Sequence, residues 1–170
     1  MNPTDRRRLE NQPGFPLYAA SREVMKWHKP FLDALGLTYT QYLAMLTLRE
    51  NRDLNVKALG QFLYLDSGTL TPLLQKLEQR GLVTRERTGA DGRNRMLTLT
   101  EAGIALVERA KDIPGRILER MPLAEAETAE MQGFLRRILR SEAPRAGDAK
   151  HMPRDSARLG RKTATLPGRR

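Results

Sequence analysis

The spacing of leucines between residues 70 and 77 predicts the helix around which the chain is organised. Four of them recur at i, i+3, i+4 and i+7 and therefore share one helix face that has to be buried: Leu70, Leu73, Leu74 and Leu77. The opposite face carries small or hydrogen-bonding side chains without negative charge: Gly68, Thr71, Pro72, Gln75, Lys76 and Gln79. Such side chains suit the edges of base pairs and the phosphates beside them. An ordinary solvated helix face is the alternative interpretation.

The sequence leaves the start of this helix open. Asp66, Ser67 or Thr69 could act as its N-cap. If Asp66 is the cap, Pro72 lies beyond the first turn and one backbone hydrogen bond is lost. We therefore expect the helix to begin late, with Thr69 as the cap, or to bend near Gly68 and Thr69.

Elements on both sides of this helix complete a winged helix-turn-helix. A helix at residues 55–63 precedes it across a tight turn at residues 64–66. Residues 82–87 and 95–99 alternate in polarity around a turn at residues 88–94 that is rich in Gly, Asp and Asn, which predicts a β-hairpin. In a winged helix-turn-helix the second helix can enter a DNA major groove. The predicted fold class is therefore mainly α with a small β-hairpin wing.

The tip of the hairpin carries candidate DNA contacts of its own. Arg93 and Arg95 are placed to reach a minor groove or phosphates, and Asp91 is placed to hold Arg93 in position. A solvated hairpin with unremarkable charges is the alternative.

Amphipathic helices flank the winged helix, which spans residues 38–100. Apolar residues at helical spacing predict a first helix at residues 15–35, bent before Pro30. A capping box at residues 38–41 predicts a second helix to about residue 50. After the hairpin, residues 101–141 predict two more helices, the first disturbed at Pro114 and Gly115 and the last running from Pro122 to Ser141.

The terminal helices at residues 15–35 and 101–141 are too apolar to stand alone beside a compact winged helix. If the terminal helices of two chains packed together, their apolar faces would be buried. The two DNA-contacting helices, one from each chain, would then lie one DNA turn apart, about 34–36 Å. We therefore expect a homodimer on a palindromic operator of double-stranded DNA. Around this domain of residues 15–141, we expect a mobile arm at residues 1–14 and a basic disordered tail at residues 142–170.

Charge supports a polyanionic partner only in part. The net charge is +10, but half of it lies in residues 142–170, so the folded part is only moderately basic. The tail could add non-specific phosphate contacts or could be an accident of the sequence. The case for DNA therefore depends on pattern more than on charge.

Several chemistries are excluded by composition. The sequence has no cysteine, which removes disulfides, thiolate metal ligands and cysteine nucleophiles, and its two histidines, His28 and His151, are far apart. No cofactor or metal is expected, and no phosphate-binding loop or paired acid and base indicates an enzyme. No apolar run is long enough for a membrane span, so we expect a cytoplasmic protein. A protein-interaction module built on a winged helix is the alternative function.

Four segments together resemble the MarR family of bacterial repressors, specifically its organic-hydroperoxide-sensing OhrR branch. They are residues 38–44 (Thr-Tyr-Thr-Gln-Tyr-Leu-Ala), 64–72 (Tyr-Leu-Asp-Ser-Gly-Thr-Leu-Thr-Pro), 77–83 (Leu-Glu-Gln-Arg-Gly-Leu-Val) and 91–93 (Asp-Gly-Arg). The resemblance covers about residues 10–120, and the segment at 64–72 is its most specific part. It implies a homodimeric stress-response regulator in which Arg93, braced by Asp91, enters the minor groove. The residues it implies at the major groove are Ser67, Thr69, Thr71, Gln75 and Lys76.

The chain departs from this branch at its reactive cysteine. The resemblance implies a cysteine near the start of the first helix and two tyrosines that bond it across the dimer. Gly14 stands at the cysteine position, Tyr39 matches one tyrosine, and His28 replaces the other. Without a thiolate, sulfenic acid cannot form, so peroxide sensing by that mechanism is excluded.

Three explanations of Gly14 stay open: artificial replacement of a cysteine, a change of signal, or a constitutive repressor. If a pocket persists, we expect it to suit a small aromatic or phenolic effector and to be lined by Phe15, Tyr18, Trp27, His28, Phe31 and Tyr39. The same residues can simply be core, and we prefer that interpretation.

Overall fold

The computed structural model describes residues 8–51, 54–88 and 94–141. A short 3₁₀ turn at Leu9–Asn11 precedes seven helices and three strands within those residues: α1 Gly14–Asp33, α2 Tyr39–Glu50, β1 Leu54–Asn55, α3 Val56–Leu63, α4 Ser67–Gln79, β2 Val83–Thr88, β3 Asn94–Leu99, α5 Glu101–Arg109, α6 Ile113–Arg120 and α7 Glu125–Ser141. The chain divides into two compact units, one up to Met121 and one from Pro122 onward. The expected fold class, mainly α with a small β wing, is confirmed.

The core of the first unit lies where α2, α3 and α4 pack with the sheet. Its most deeply buried large side chains are Met45, Leu59, Leu70, Leu74, Leu77, Val83 and Leu97. All four leucines of the predicted apolar face of α4 are buried, as their spacing requires. Burial of each leucine contributes about 1.5–3 kcal/mol, which makes this face the main anchor of α4.

The wing is a three-stranded antiparallel sheet in the order β1-β3-β2. The predicted hairpin is confirmed, with Val83 opposite Leu99 and Thr84 opposite Thr98. The third strand, β1, was not expected from the sequence, because two residues are too few to show a period of two. Leu54 of β1 pairs with Leu97, so this strand joins the segment before α3 to the wing.

The first helix ends earlier than residue 35. Gly36 adopts φ 64°, and the backbone N–H of Leu37 donates to the carbonyl of Leu32 at 2.9 Å, so a left-handed glycine terminates α1 after Asp33. The capping box of α2 is confirmed: Thr38 accepts from the Gln41 N–H, and the Gln41 side chain accepts from the Thr38 N–H.

The break in the C-terminal helices lies before Pro114 rather than at it. α5 ends at Arg109, and Pro114 falls in the first turn of α6, where its missing N–H costs no helix bond. The last helix begins at Glu125 and not at Pro122, because the Glu127 carboxylate accepts the Ala124 N–H at 2.7 Å and fixes the start there.

The expected arm and tail are only partly visible. Residues 9–11 already form a turn and α1 begins at Gly14, so order extends into the arm expected at residues 1–14. Residues 1–7 and the tail at residues 142–170 lie outside the described residues. No helix in the described part of the chain is long and apolar enough to span a membrane.

Candidate nucleic-acid interface

The N-terminus of α4 is fixed by Asp66. Its carboxylate accepts the backbone N–H of Thr69 at 2.9 Å through Oδ1 and the Thr69 hydroxyl at 2.9 Å through Oδ2. These two donors hold the pKa of the Asp66 carboxyl below its usual range. The expectation that Thr69 is the cap is therefore wrong, because a carboxylate that binds two donors makes the earlier start at Ser67 the better one.

Pro72 consequently lies inside α4, where it removes one backbone hydrogen bond. The carbonyl that would have accepted this bond belongs to Gly68, which is exposed, so water can replace the missing donor. The cost of the proline is thereby limited to part of one bond.

The outer face of α4 presents the predicted major-groove residues together. All five are exposed: Ser67, Thr69, Thr71, Gln75 and Lys76. The Thr69 hydroxyl hydrogen is already donated to Asp66, so this hydroxyl is left as an acceptor. The face therefore combines hydroxyl and amide groups with one cation and carries no carboxylate, which suits contact with DNA.

The turn between α3 and α4 depends on a close approach at Gly60. A Cβ there would lie 2.9 Å from the Leu65 carbonyl oxygen and 3.3 Å from Leu70 Cδ2. The Leu65 N–H donates to the Gly60 carbonyl at 2.9 Å and closes α3. Glycine is thus needed for α4 to pack directly on α3.

Two arginines that were not among the predicted site residues hold α4 in place. Arg80, just after α4, donates from both Nη atoms to the carbonyls of Gly36 and Leu35 beyond the end of α1. Arg85 of β2 places its Nε 2.9 Å from Oε1 of Glu78, so the wing is tied to α4 by a half-buried ion pair. Arg80 is 44 and 45 residues from its two acceptors, and Arg85 and Glu78 belong to different elements, so the periodicity of a single element could not reveal these contacts.

The DNA contacts predicted for the wing involve residues whose side chains the structure does not describe. Asp91 and Arg93 lie outside the described residues, and so does the side chain of Arg95, whose backbone pairs with Arg87 in the hairpin. Their DNA contacts stay predictions.

The six predicted pocket residues fall into three places in the first unit. Phe15 and Tyr18 are exposed near the start of α1. Trp27 and Phe31 face α6, where Arg120 lies 5.1 Å from the Trp27 ring and Arg116 lies 5.5 Å from the Phe31 ring.

His28 and Tyr39 form the third group. The buried His28 places Nδ1 2.8 Å from the Val24 carbonyl oxygen, which requires a proton on Nδ1, and its ring meets Tyr39 edge-on at 4.8 Å between centroids. Burial raises the pKa of the Tyr39 phenol. Of Trp27, Phe31, His28 and Tyr39, only Tyr39 lines a surface cavity of about 350 Å³. The other residues that line this cavity are Arg22, Met25, Lys26, Lys29, Leu32, Asp33, Leu37 and Thr38.

Gly14, at the position where the resemblance implies a cysteine, is the first residue of α1. A Cβ added there would meet nothing within 4 Å in this chain. Packing within the chain therefore does not require a glycine at this position.

Comparison with known proteins decides the family. Residues 37–94 match the MarR family. The chain is 56% identical over 117 residues to the organic hydroperoxide resistance transcriptional regulator of Bacillus subtilis, across 69% of this chain and 80% of that protein. This chain belongs to the MarR family. It is also 36% identical over 131 residues to the transcriptional regulator SarZ of Staphylococcus aureus, across 77% of this chain and 88% of SarZ.

Solved structures agree with this assignment to the MarR family. The fold is similar to overoxidized AbfR bound to DNA, with a TM-score of 0.64, 35% identity, and coverage of 81% of this chain and 97% of AbfR. It is also similar to a probable transcriptional regulator from Pseudomonas aeruginosa, with a TM-score of 0.68, 30% identity, and coverage of 77% and 99%. The relatives are regulators and not enzymes, so the chain is a MarR-family transcriptional regulator close to the hydroperoxide branch.

Proposed function

We propose that this regulator is a repressor that binds a palindromic operator of double-stranded DNA as a homodimer, with α4 in the major groove. The observation that carries the proposal is the two-sided character of α4: four buried leucines fix its inner face, and five exposed residues without negative charge form its outer face. That AbfR has been seen on DNA with a similar fold supports the same partner here.

The homodimer is supported by apolar side chains that the single chain leaves exposed. On α1 these are Phe15, Leu17, Tyr18 and Met25, and on α7 they are Phe134, Ile138 and Leu139. Large exposed apolar residues on these helices indicate a protein partner, and a second copy of the chain would form a two-fold symmetric dimer that matches a palindrome.

The wing would add a minor-groove contact through Arg93, braced by Asp91, with Arg95 beside it. On this proposal, Arg93→Ala weakens operator binding by about 1–3 kcal/mol.

The signal that releases the operator is not a peroxide acting on a cysteine thiolate, because the sequence has no cysteine. The cavity beside Tyr39 supports a small-molecule effector instead. Its lining includes the apolar Met25, Leu32 and Leu37, the cations of Arg22, Lys26 and Lys29, and the carboxylate of Asp33, which pairs with Lys29 at 2.6 Å. A small aromatic effector suits this combination of apolar and polar lining.

Selection of bound sequences from a random duplex library tests the proposal, followed by titration of the selected site at increasing salt. We expect a palindrome, and a binding constant that falls steeply with salt through counterion release. Lys76→Gln should reduce the salt slope by about 1, because one phosphate contact is lost. The matched control is Lys111→Gln, a lysine that forms an ion pair with Glu108 away from α4.

Failure to enrich any sequence, together with binding that random DNA removes at moderate salt, would instead favour the protein-interaction alternative. When the selection yields an operator, compounds that include peroxides and aromatic carboxylates should be screened for its release. Release by low hydroperoxide would contradict the part of the proposal that excludes peroxide sensing.

A further inference from the structure

Tyr64, in the turn between α3 and α4, has a backbone conformation that its side chain disfavours. It adopts φ 54° and ψ 40°, and it alone among the non-glycine residues in the described part of the chain has a positive φ. The turn closes with the Leu65 N–H on the Gly60 carbonyl, a helix end at which glycine usually occupies the left-handed position. An aromatic residue is an outlier in this region because its Cβ crowds the following carbonyl.

Packing of the phenol ring does not offset this strain. Tyr64 is 68% exposed, more than any other exposed large hydrophobic residue in the described ranges. A glycine would form the same turn without strain, so the fold of this turn does not require the ring. Strained residues that the fold does not require are a reason to look for a function.

The position of Tyr64 suggests which function. The residue lies two positions before the Asp66 cap, in the turn that leads into α4. When a reading helix enters a groove by its N-terminal end, the turn before it approaches the sugar-phosphate backbone. Phosphate oxygens accept hydrogen bonds, so a group that binds them has to be a donor. A tyrosine hydroxyl is such a donor, and it is among the groups that commonly bond phosphate oxygens.

We propose that the strained, exposed Tyr64 at the α3–α4 turn donates its phenol hydrogen to an operator phosphate and thereby positions α4 in the groove. The inference rests on the proposed function, since it requires the duplex on α4. The contact carries no sequence information, so Tyr64 acts on affinity and register more than on the choice of bases.

Two variants separate the hydroxyl from the backbone strain. Tyr64→Phe keeps the ring and the strain and removes only the hydroxyl, and we expect about tenfold weaker binding to the selected operator. Its salt slope should equal that of the wild type, because a neutral group releases no counterion. Tyr64→Gly removes the hydroxyl and the strain together, so it should weaken binding as much while its unfolding temperature is equal to or above that of the wild type.

Gly81→Ala provides the matched control for strain. Gly81 has φ 65°, and a Cβ there would meet nothing within 4 Å, so the substitution adds left-handed strain and little else. We expect a lower unfolding temperature with unchanged operator affinity. This result would show that strain of this kind at the other end of α4 does not by itself change DNA binding.

The outcomes distinguish the inference from the proposal beneath it. If the wild type shows no preference for the selected operator, the proposed function fails and the Tyr64 contact fails with it. If the wild type binds the operator and Tyr64→Phe binds equally well, only the Tyr64 contact is wrong. A lower salt slope in Tyr64→Phe would also overturn it, because that result would mean a displaced cation and not a lost hydroxyl.

Discussion

The absence of a side chain at a single position can decide how closely two elements of this protein approach one another, and Gly103 shows the largest effect. A Cβ at Gly103 would lie 2.1 Å from the Leu82 carbonyl oxygen and 3.2 Å from Leu99 Cδ2. The first of these atoms belongs to the backbone at the start of the wing and cannot rotate away. The bare backbone of Gly103 is therefore what allows α5 to pack against the wing.

Gly103→Ala should lower the free energy of unfolding by about 1–3 kcal/mol, because α5 has to move away from the sheet. Gly115→Ala is the matched control, since it is also a glycine in the first turn of a helix but has nothing within 4 Å of its Cβ position. The control should gain about 0.5–1 kcal/mol from the reduced entropy of the unfolded chain. Denaturant unfolding of both variants measures the difference, and equal stability of the two would contradict the close-approach argument.

At the residue scale, the sequence predicted which side chains are exposed better than it predicted which groups bond to one another. The five outer residues of α4 were found from periodicity and from the resemblance, and all are exposed in the structure. The cap was misassigned because the sequence offers three candidate cap residues within four positions and does not show which oxygen accepts which N–H. The strain at Tyr64 was not anticipated, since nothing in the residue type indicates a positive φ.

At the scale of elements, the relation between α1 and α4 depends on Arg80. The left-handed turn at Gly36 leaves the carbonyls of Leu35 and Gly36 without helix partners, and the Arg80 guanidinium donates to both. A planar fork with two donors matches this pair of oxygens. Arg80 therefore joins the C-terminal ends of α1 and α4 through a contact with Gly36, which lies 44 residues away in the chain.

Arg80→Ala should lower the free energy of unfolding by about 1–2 kcal/mol, because two carbonyls lose a charged donor at an exposed site. Arg80→Lys should recover part of this loss, since a lysine can donate to one carbonyl but lacks the fixed fork. Urea denaturation at neutral pH checks both variants. An alanine variant as stable as the wild type would show that solvent replaces the two bonds without cost.

Helices in this chain were more predictable than the small strand and the loop contacts. Buried residues of an amphipathic helix recur every three or four positions, so the helices were expected in the correct order, although α5 and α6 were expected as one disturbed helix. The strand β1 has two residues and exists only because Leu97 lies beside Leu54. The ends of α1, α6 and α7 shifted by a few residues because local hydrogen bonds, and not apolar spacing, set helix boundaries.

At the scale of the whole molecule, the proposed homodimer accounts for apolar surface that one chain does not bury. Phe134 on α7 is 53% exposed, although it lies at helical spacing with Met131 and Ile138. Each phenylalanine that becomes buried contributes about 1.5–3 kcal/mol, and a two-fold interface buries two copies of it.

Phe134→Glu should raise the dimer dissociation constant at least about tenfold, because a charge replaces an apolar group in both copies. Operator affinity should fall with it, since separated half-site readers bind independently. Gln132→Glu is the control: it adds the same charge on the same helix at a position that already accepts a bond from Arg136. Sedimentation analysis and operator titration measure both effects, and a Phe134→Glu protein that stays dimeric would exclude α7 from the interface.

The sequence by itself determined the helices, the hairpin, the outward face of α4 and the absence of thiolate chemistry, because periodicity and residue type encode local structure and composition directly. Only the tertiary structure decided that Asp66 caps α4, that Arg80 and Arg85 hold it to α1 and to the wing, and that Tyr64 is strained and exposed. It also separated the six predicted pocket residues into three places. Contacts between distant residues depend on how close the folded backbone brings them, and no local pattern of the chain records that distance.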